Sequence, residues 1–128
     1  IDSSNWIDRL QLYCNENSHS KFRILFKNNC TTRINLESKV ALTLFRITQE
    51  LIHNVQKHAK TDFCHVQLSN LNNSLCISVE DEGIGFHPES QEGIGLSSIR
   101  KRLAMLEGEL EIESKTGRGT LITIEIKR

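Results

Sequence analysis

Net charge is the first thing this sequence lacks. Sixteen Lys and Arg offset sixteen Asp and Glu, so no overall field steers the chain toward nucleic acid or an anionic membrane. Long hydrophobic runs are missing as well. The apolar stretches are a few residues each, far short of the ~20 that cross a bilayer as a helix. No basic segment followed by an apolar one opens the chain, and a soluble, cytoplasmic domain without a secretory signal is expected. The four cysteines (14, 30, 64 and 76) never form a CxxC pair. That excludes the common metal and redox spacings and points to buried thiols in a reducing compartment. Repeats, low-complexity tracts and linkers are absent, and 128 residues suit one domain over residues 1–128. Glycine is absent from the first 82 residues; all seven fall at 83, 85, 93, 95, 108, 117 and 119. Glycine packed so densely serves backbone torsion or close approach to a ligand.

What is present reads as helices and strands in blocks. Residues 4–17 put Trp6, Leu10 and Tyr13 at helical spacing, with Ser3 or Ser4 as N-cap. Residues 22–27 alternate as a strand. A long helix is expected from about Leu36 to Ala59, with Asn35 as N-cap and Glu37 in its first turn. Residues 64–69 and 75–80 flank the polar turn NLNNS as a hairpin. A further helix runs from about Leu96 to Glu107 and stops at Gly108, a natural C′ residue. A last hairpin, 109–114 with 120–126, closes around TGRG. Elements in blocks rather than strict alternation favour an α+β fold, a two-layer sandwich, over a doubly wound parallel sheet.

The long helix carries two stripes. Val40, Leu44, Ile47, Leu51 and Val55 line one face, suited to packing on a sheet. Arg46, Glu50, Asn54 and Lys57 gather about a third of a turn away. Glu50 and Asn54, four residues apart, can reach one point in space. A carboxylate and a carboxamide there suit a hard cation that keeps waters and binds phosphate, such as Mg²⁺; a solvated helix face is the alternative.

The strand of alternating Leu75, Ile77 and Val79 leads into Asp81, then Gly83-Ile84-Gly85. A carboxylate at a strand end, beside glycines that remove bulk, can accept a hydrogen bond from a buried exocyclic amine such as that of adenine. An acidic turn is the plainer alternative. Gly93-Ile94-Gly95-Leu96-Ser97-Ser98 then enters the next helix, where freed backbone amides and the helix dipole favour phosphate. The intervening segment, Phe86 to Glu92, has the length of a short lid. A third glycine of the Rossmann pattern is missing, and no GxxxxGK[ST] occurs. Gly117-Arg118-Gly119-Thr120 opens the last strand, where Thr120 can add a hydroxyl to a base pocket.

Taken in order, RITQELIHNVQKHA (46–59), DEGIGF (81–86), GIGLSSIRKRL (93–103) and GRGT (117–120) resemble the four nucleotide boxes of the GHKL superfamily. That superfamily comprises the ATPase domains of gyrase, Hsp90, MutL and histidine kinases. The resemblance spans residues 36–126 and is strongest to sensor kinases of the nitrate-sensor and desaturase-regulator type. It implies a Bergerat fold, a mixed sheet covered by helices on one face. It also implies ATP and Mg²⁺, with Asn54 as metal ligand, Glu50 as the polarising or basic group, and Lys57 and His58 near phosphate. Asp81 would take the adenine amine and Gly83 and Gly85 would shape the base pocket. Gly93, Gly95 and Leu96 would border the phosphates, and Thr120 would complete the adenine side.

The family's acceptor histidine, usually followed by an acidic residue, is not found. The five histidines precede Ser20, Asn54, Ala59, Val66 and Pro88. An excised, monomeric catalytic domain is therefore expected. Its partners would be ATP, the dimerisation and phosphoacceptor domain of the same kinase, and a response regulator reached through a parent protein that can be membrane-anchored. An anti-sigma-factor type serine/threonine kinase and a non-catalytic ATP-sensing module stand as alternatives at this point.

Overall fold

The structure is a computed structural model that describes residues 4–86 and 96–127. Helix α1 spans Trp6–Asn17 and strand β1 Arg23–Asn28. The long helix α2, Ser38–His58, precedes the hairpin of β2 (Phe63–Leu71) and β3 (Ser74–Asp81). Helix α3, Leu96–Met105, is followed by β4 (Glu109–Lys115) and β5 (Gly119–Lys127). The five strands form one sheet in the order β1-β2-β3-β5-β4. β1 and β2 run parallel, and the other pairs are antiparallel. The parallel pair needs a crossover, and α2 supplies it.

Alternation along the strands decides where the helices lie. Cys64, Val66 and Leu68 of β2, Leu75, Ile77 and Val79 of β3, and Ile122, Ile124 and Ile126 of β5 are all buried. The register sets Val66 against Val79 against Ile122, and Leu68 against Ile77 against Ile124. These residues share one face, and the helices cover it with Trp6, Leu10 and Cys14 of α1, Leu44, Ile47 and Leu51 of α2, and Leu96, Ile99 and Leu103 of α3. The result is the two-layer α+β arrangement expected from the sequence. Asp81 continues the inward series of β3, and its register partner Thr120 continues that of β5. Two polar groups thus stand where the core pattern runs out at one end of the sheet.

Several boundaries differ from expectation for physical reasons. Glu37, not Asn35, occupies the N-cap of α2, with extended backbone (φ −63°, ψ 148°) and no capping side-chain bond. Ile34 and Leu36 are buried, so the chain stays extended to seat them before the helix begins. Asn5 precedes α1 in place of Ser3 or Ser4. In α2 the core stripe takes Ala41, Thr48 and Ile52, while Val40 is only half-buried. The hairpin of β2 and β3 tightens to a two-residue turn, with Asn72 at φ 57°, a torsion that asparagine tolerates. At the end of α3 the left-handed residue is Glu107 (φ 54°), not Gly108. Glu107 N–H donates to Ala104 O and Gly108 N–H to Leu103 O, the two bonds of a Schellman ending. Gly108 is needed for closeness instead: a Cβ there would meet Leu103 Cδ1 at 2.6 Å. No helix among the described residues is long and apolar enough to cross a membrane.

Candidate functional site

Three pieces of chain meet beyond the inward end of β3. The first is the last turns of α2, which close with Ala59 N–H donating to Val55 O. The second is the loop after Asp81, and the third is the start of β5. Ile84 N–H donates to Ala59 O at 2.8 Å and ties the loop to the helix end. Gly83 makes that contact possible, since a Cβ on it would sit 2.0 Å from Ala59 O. Gly85 takes φ +65°, and a Cβ there would meet Lys115 O at 2.1 Å. On the other flank, Phe86 N–H donates to Ser114 Oγ at 2.9 Å, and the Ser114 and Thr120 hydroxyls lie 2.8 Å apart.

Between them is a cavity of about 190 Å³, smaller than the ~300–1,000 Å³ of sites that swallow a drug-sized ligand whole. Leu51, Val55, Ile84 and Ile122 supply apolar walls, and Asn54, His58, Asp81 and Thr120 the polar groups. This lining suits a flat, mostly apolar heterocycle held by one or two directed bonds. The remainder of any larger ligand would project outward.

Asp81 is 5 % exposed. Burial pushes its carboxyl above the usual carboxylate range, and the neighbouring Glu80 adds to that. Hydrogen bonds from the Gly83 and Thr120 backbone pull the other way without cancelling it. Gly83 N–H donates to Asp81 Oδ1 at 2.8 Å, so the loop itself orients the carboxylate. A buried acceptor of this kind is matched to a ligand that donates an N–H.

Of the residues singled out from sequence, Asn54, His58, Asp81, Gly85 and Thr120 line the one cavity, and Gly83 shapes its rim loop. Glu50, one turn before Asn54, faces α3 instead. It forms an ion pair with Arg102 and lines a separate groove with Tyr13, Arg46, Gln49 and His53. Lys57 is exposed outside the cavity lining, and Leu96 is buried at the start of α3. Gly93, Gly95 and most of the lid segment lie outside the described residues. For a divalent cation, no cluster of three His, Cys, Asp or Glu exists among the described residues. A single amide such as Asn54 fits only a cation held chiefly by phosphate and water, which is the habit of Mg²⁺.

Sequence reasoning passed over Ser114, Ala59 and Arg102. Ser114 was within reach, because it continues the inward alternation of Leu110 and Ile112 on β4. Ala59 acts through its carbonyl and Arg102 through a helix docked 52 residues away in sequence, and neither leaves a local signal.

Residues 39–128 match the family described as Histidine kinase-, DNA gyrase B-, and HSP90-like ATPase. The histidine-protein kinase/phosphatase DegS of Brevibacillus brevis is 38 % identical over 89 residues, covering 68 % of this chain and 23 % of that protein. The sensor histidine kinase ComP of Bacillus subtilis is 35 % identical over 101 residues, covering 76 % of this chain and 13 % of that protein. An uncharacterized sensor-like histidine kinase of Chloroflexus aurantiacus is 32 % identical over 132 residues, covering 97 % and 21 %. The chain therefore spans less than a quarter of the length of these relatives. Among solved structures, the blue-light activated histidine kinase of Erythrobacter litoralis shares the fold, with a TM-score of 0.78 at 21 % identity. That match covers 99 % of this chain and 42 % of the other. The matched segment carries the α2, β3 and β5 residues that build the cavity, and the chain belongs to the histidine kinase-, gyrase B- and HSP90-like ATPase family, as a catalytic domain of the sensor histidine kinase kind.

Proposed function

We propose that this domain holds Mg-ATP in the cavity beside α2 and directs its γ-phosphoryl group to a histidine on a dimerisation domain outside this chain. A response regulator would then receive the group through the parent protein. The observation that carries this reading is the buried Asp81 carboxylate sharing one cavity with Asn54. Asp81 accepts the adenine exocyclic N–H, Leu51, Val55, Ile84 and Ile122 enclose the ring, and Thr120 completes the polar side. Gly83 and Gly85 let the loop approach closely, while Asn54 supplies an oxygen to Mg²⁺, which when bound offsets phosphate charge. Lys57 and His58 lie toward the phosphates, and Gly93, Gly95 and Leu96 border them.

Such a site accelerates transfer mainly by positioning and charge stabilisation. One imidazole nitrogen of the acceptor forms the N–P bond as the bond from phosphorus to the bridging oxygen breaks, its electron pair leaving with ADP. The proton on the other nitrogen passes to a base or to water, leaving a neutral phosphoimidazole.

The test is titration calorimetry of the folded Asp81→Ala domain with Mg-ATP. Losing a hydrogen bond to a charged group costs about 1.5–3 kcal/mol, so affinity falls roughly tenfold to a hundredfold. Unchanged affinity removes Asp81 from the adenine site.

A further inference from the structure

Three strands each place one polar residue in a row across the end of the sheet. The register pairs Ser114 of β4 with Thr120 of β5, and Thr120 with Asp81 of β3. Asp81 and Thr120 line the cavity, and Ser114 stands behind Thr120 without lining it. Several groups nevertheless converge on the Ser114 hydroxyl. Phe86 N–H donates to Ser114 Oγ at 2.9 Å, Thr120 Oγ1 lies 2.8 Å from it, and Gly119 O lies 3.2 Å from it. A serine hydroxyl has a single proton and a pair of acceptor sites. Phe86 takes one acceptor site, so the proton goes either to Thr120 or to Gly119. An O–H···O bond is best at about 2.7–2.8 Å and leaves its usual range beyond about 3.0 Å. The distances favour Thr120.

The direction of that bond decides what the cavity offers a ligand. When Ser114 donates to Thr120, the Thr120 O–H is released to donate into the cavity. In the opposite direction only its lone pairs would face the ligand. The first arrangement sets an acceptor, Asp81, beside a donor, Thr120. Adenine presents the complement, an exocyclic N–H beside the N1 lone pair, whereas a 6-oxopurine presents a carbonyl beside an N–H. We propose that Ser114 is a positioning residue that makes the Thr120 hydroxyl a donor toward adenine N1, directly or across one water, and so sets the preference of the site for adenine over 6-oxopurines. The inference rests on the reading of the cavity as the adenine site.

The experiment is titration calorimetry of this domain and its variants with three magnesium nucleotides, with thermal melting as a folding check. These are ATP, 1-deaza-ATP, which lacks the N1 acceptor, and purine riboside triphosphate, which lacks the exocyclic amine. The native domain is expected to prefer ATP over 1-deaza-ATP roughly threefold to tenfold, the worth of one neutral hydrogen bond. In Ser114→Ala that preference disappears, because ATP binds more weakly while 1-deaza-ATP binds as before. Ser114→Thr, which keeps the hydroxyl, retains the preference. Thr120→Val lacks it, and adding Ser114→Ala takes nothing further from it. Equal losses for ATP and 1-deaza-ATP in Ser114→Ala overturn the proposal, since they mark a packing role. A native domain without the preference overturns it too, as does a Ser114→Ala domain that keeps it. Purine riboside triphosphate separates these failures from a failure of the adenine-site reading. If it binds the native domain as tightly as ATP, Asp81 does not take the amine and both fall. If it binds more weakly, the adenine site stands and the N1 comparison judges Ser114 alone. Ser114→Cys, close in size and a weak donor, gives the same comparison if the alanine variant fails to fold.

Discussion

Asp81 shows how one residue can serve a site at the expense of the fold. It occupies an inward position of β3 where Leu75, Ile77 and Val79 precede it, and burial raises its pKa above the ordinary value. A raised folded-state pKa means the native protein binds this proton more tightly than the unfolded chain does. The associated stability is therefore full below the unfolded value of about 3.9 and is lost as pH climbs toward the folded value. The ionised form of the buried carboxyl is the costly one, and a bound N–H donor offsets that cost. Asp81→Asn keeps an oxygen acceptor for Gly83 N–H and removes the buried charge. Its melting temperature is expected to exceed that of the native protein at pH 7, with the gap closing as pH falls toward 4, while ATP binding weakens. Melting curves across that pH range check it, and a gap that widens in acid contradicts the assignment. A stabilised but impaired variant is the usual mark of a residue kept for function.

At the scale of elements, the decisive joint is the seam between the end of α2 and the loop after β3. Asn54 and His58 reach the cavity from the helix, Asp81 from the strand, and the Ile84–Ala59 hydrogen bond sets their spacing. Gly83→Ala drives a methyl group into Ala59 O. It is expected to cost about 1–3 kcal/mol, as overpacking does, and to weaken ATP binding although residue 83 need not touch the ligand through a side chain. Urea unfolding paired with calorimetry reads both, and a variant unchanged in either places the loop elsewhere. This seam also marks how far the sequence could be read. Asp81 was legible because it ends a period-two series, and Asn54 because it lies one turn from Glu50 on a polar stripe. The sheet was legible because its inner face alternates without interruption through β2, β3 and β5. The start of α2 was not, since the burial of Ile34 and Leu36 that delays it is a tertiary fact. Nor was the partner of Glu50, because nothing near residue 50 indicates where α3 docks.

At the scale of the whole molecule, the thiols connect the core to the site. Cys14 on α1 and Cys64 on β2 are both fully buried, one in each layer of the sandwich, and burial pushes each thiol up to about 12. The thiolate is the reactive form, so at pH 8 roughly one thiol in ten thousand is ionised there, against a sizeable fraction at an unfolded pKa of about 8.5. Access and ionisation are both denied until helix and sheet separate. Cys30 and Cys76 are only half-buried, and burial together with the Glu125 carboxylate raises the Cys76 thiol. A thiol reagent in native buffer is therefore expected to modify Cys30 first, Cys76 next, and Cys14 and Cys64 only at the rate of global opening. Neither buried thiol lines the cavity, yet a ligand that binds only the folded state stabilises every part of it. Mg-ATP at a hundred times its dissociation constant is expected to slow labelling of Cys14 and Cys64 about a hundredfold. That protection should fall to about two- to tenfold in Asp81→Ala at the same nucleotide concentration, given the tenfold to hundredfold loss of affinity expected there. Mass-resolved labelling of the four sites decides it: prompt modification of Cys14 in native buffer contradicts its burial, and undiminished protection in Asp81→Ala removes Asp81 from the nucleotide site.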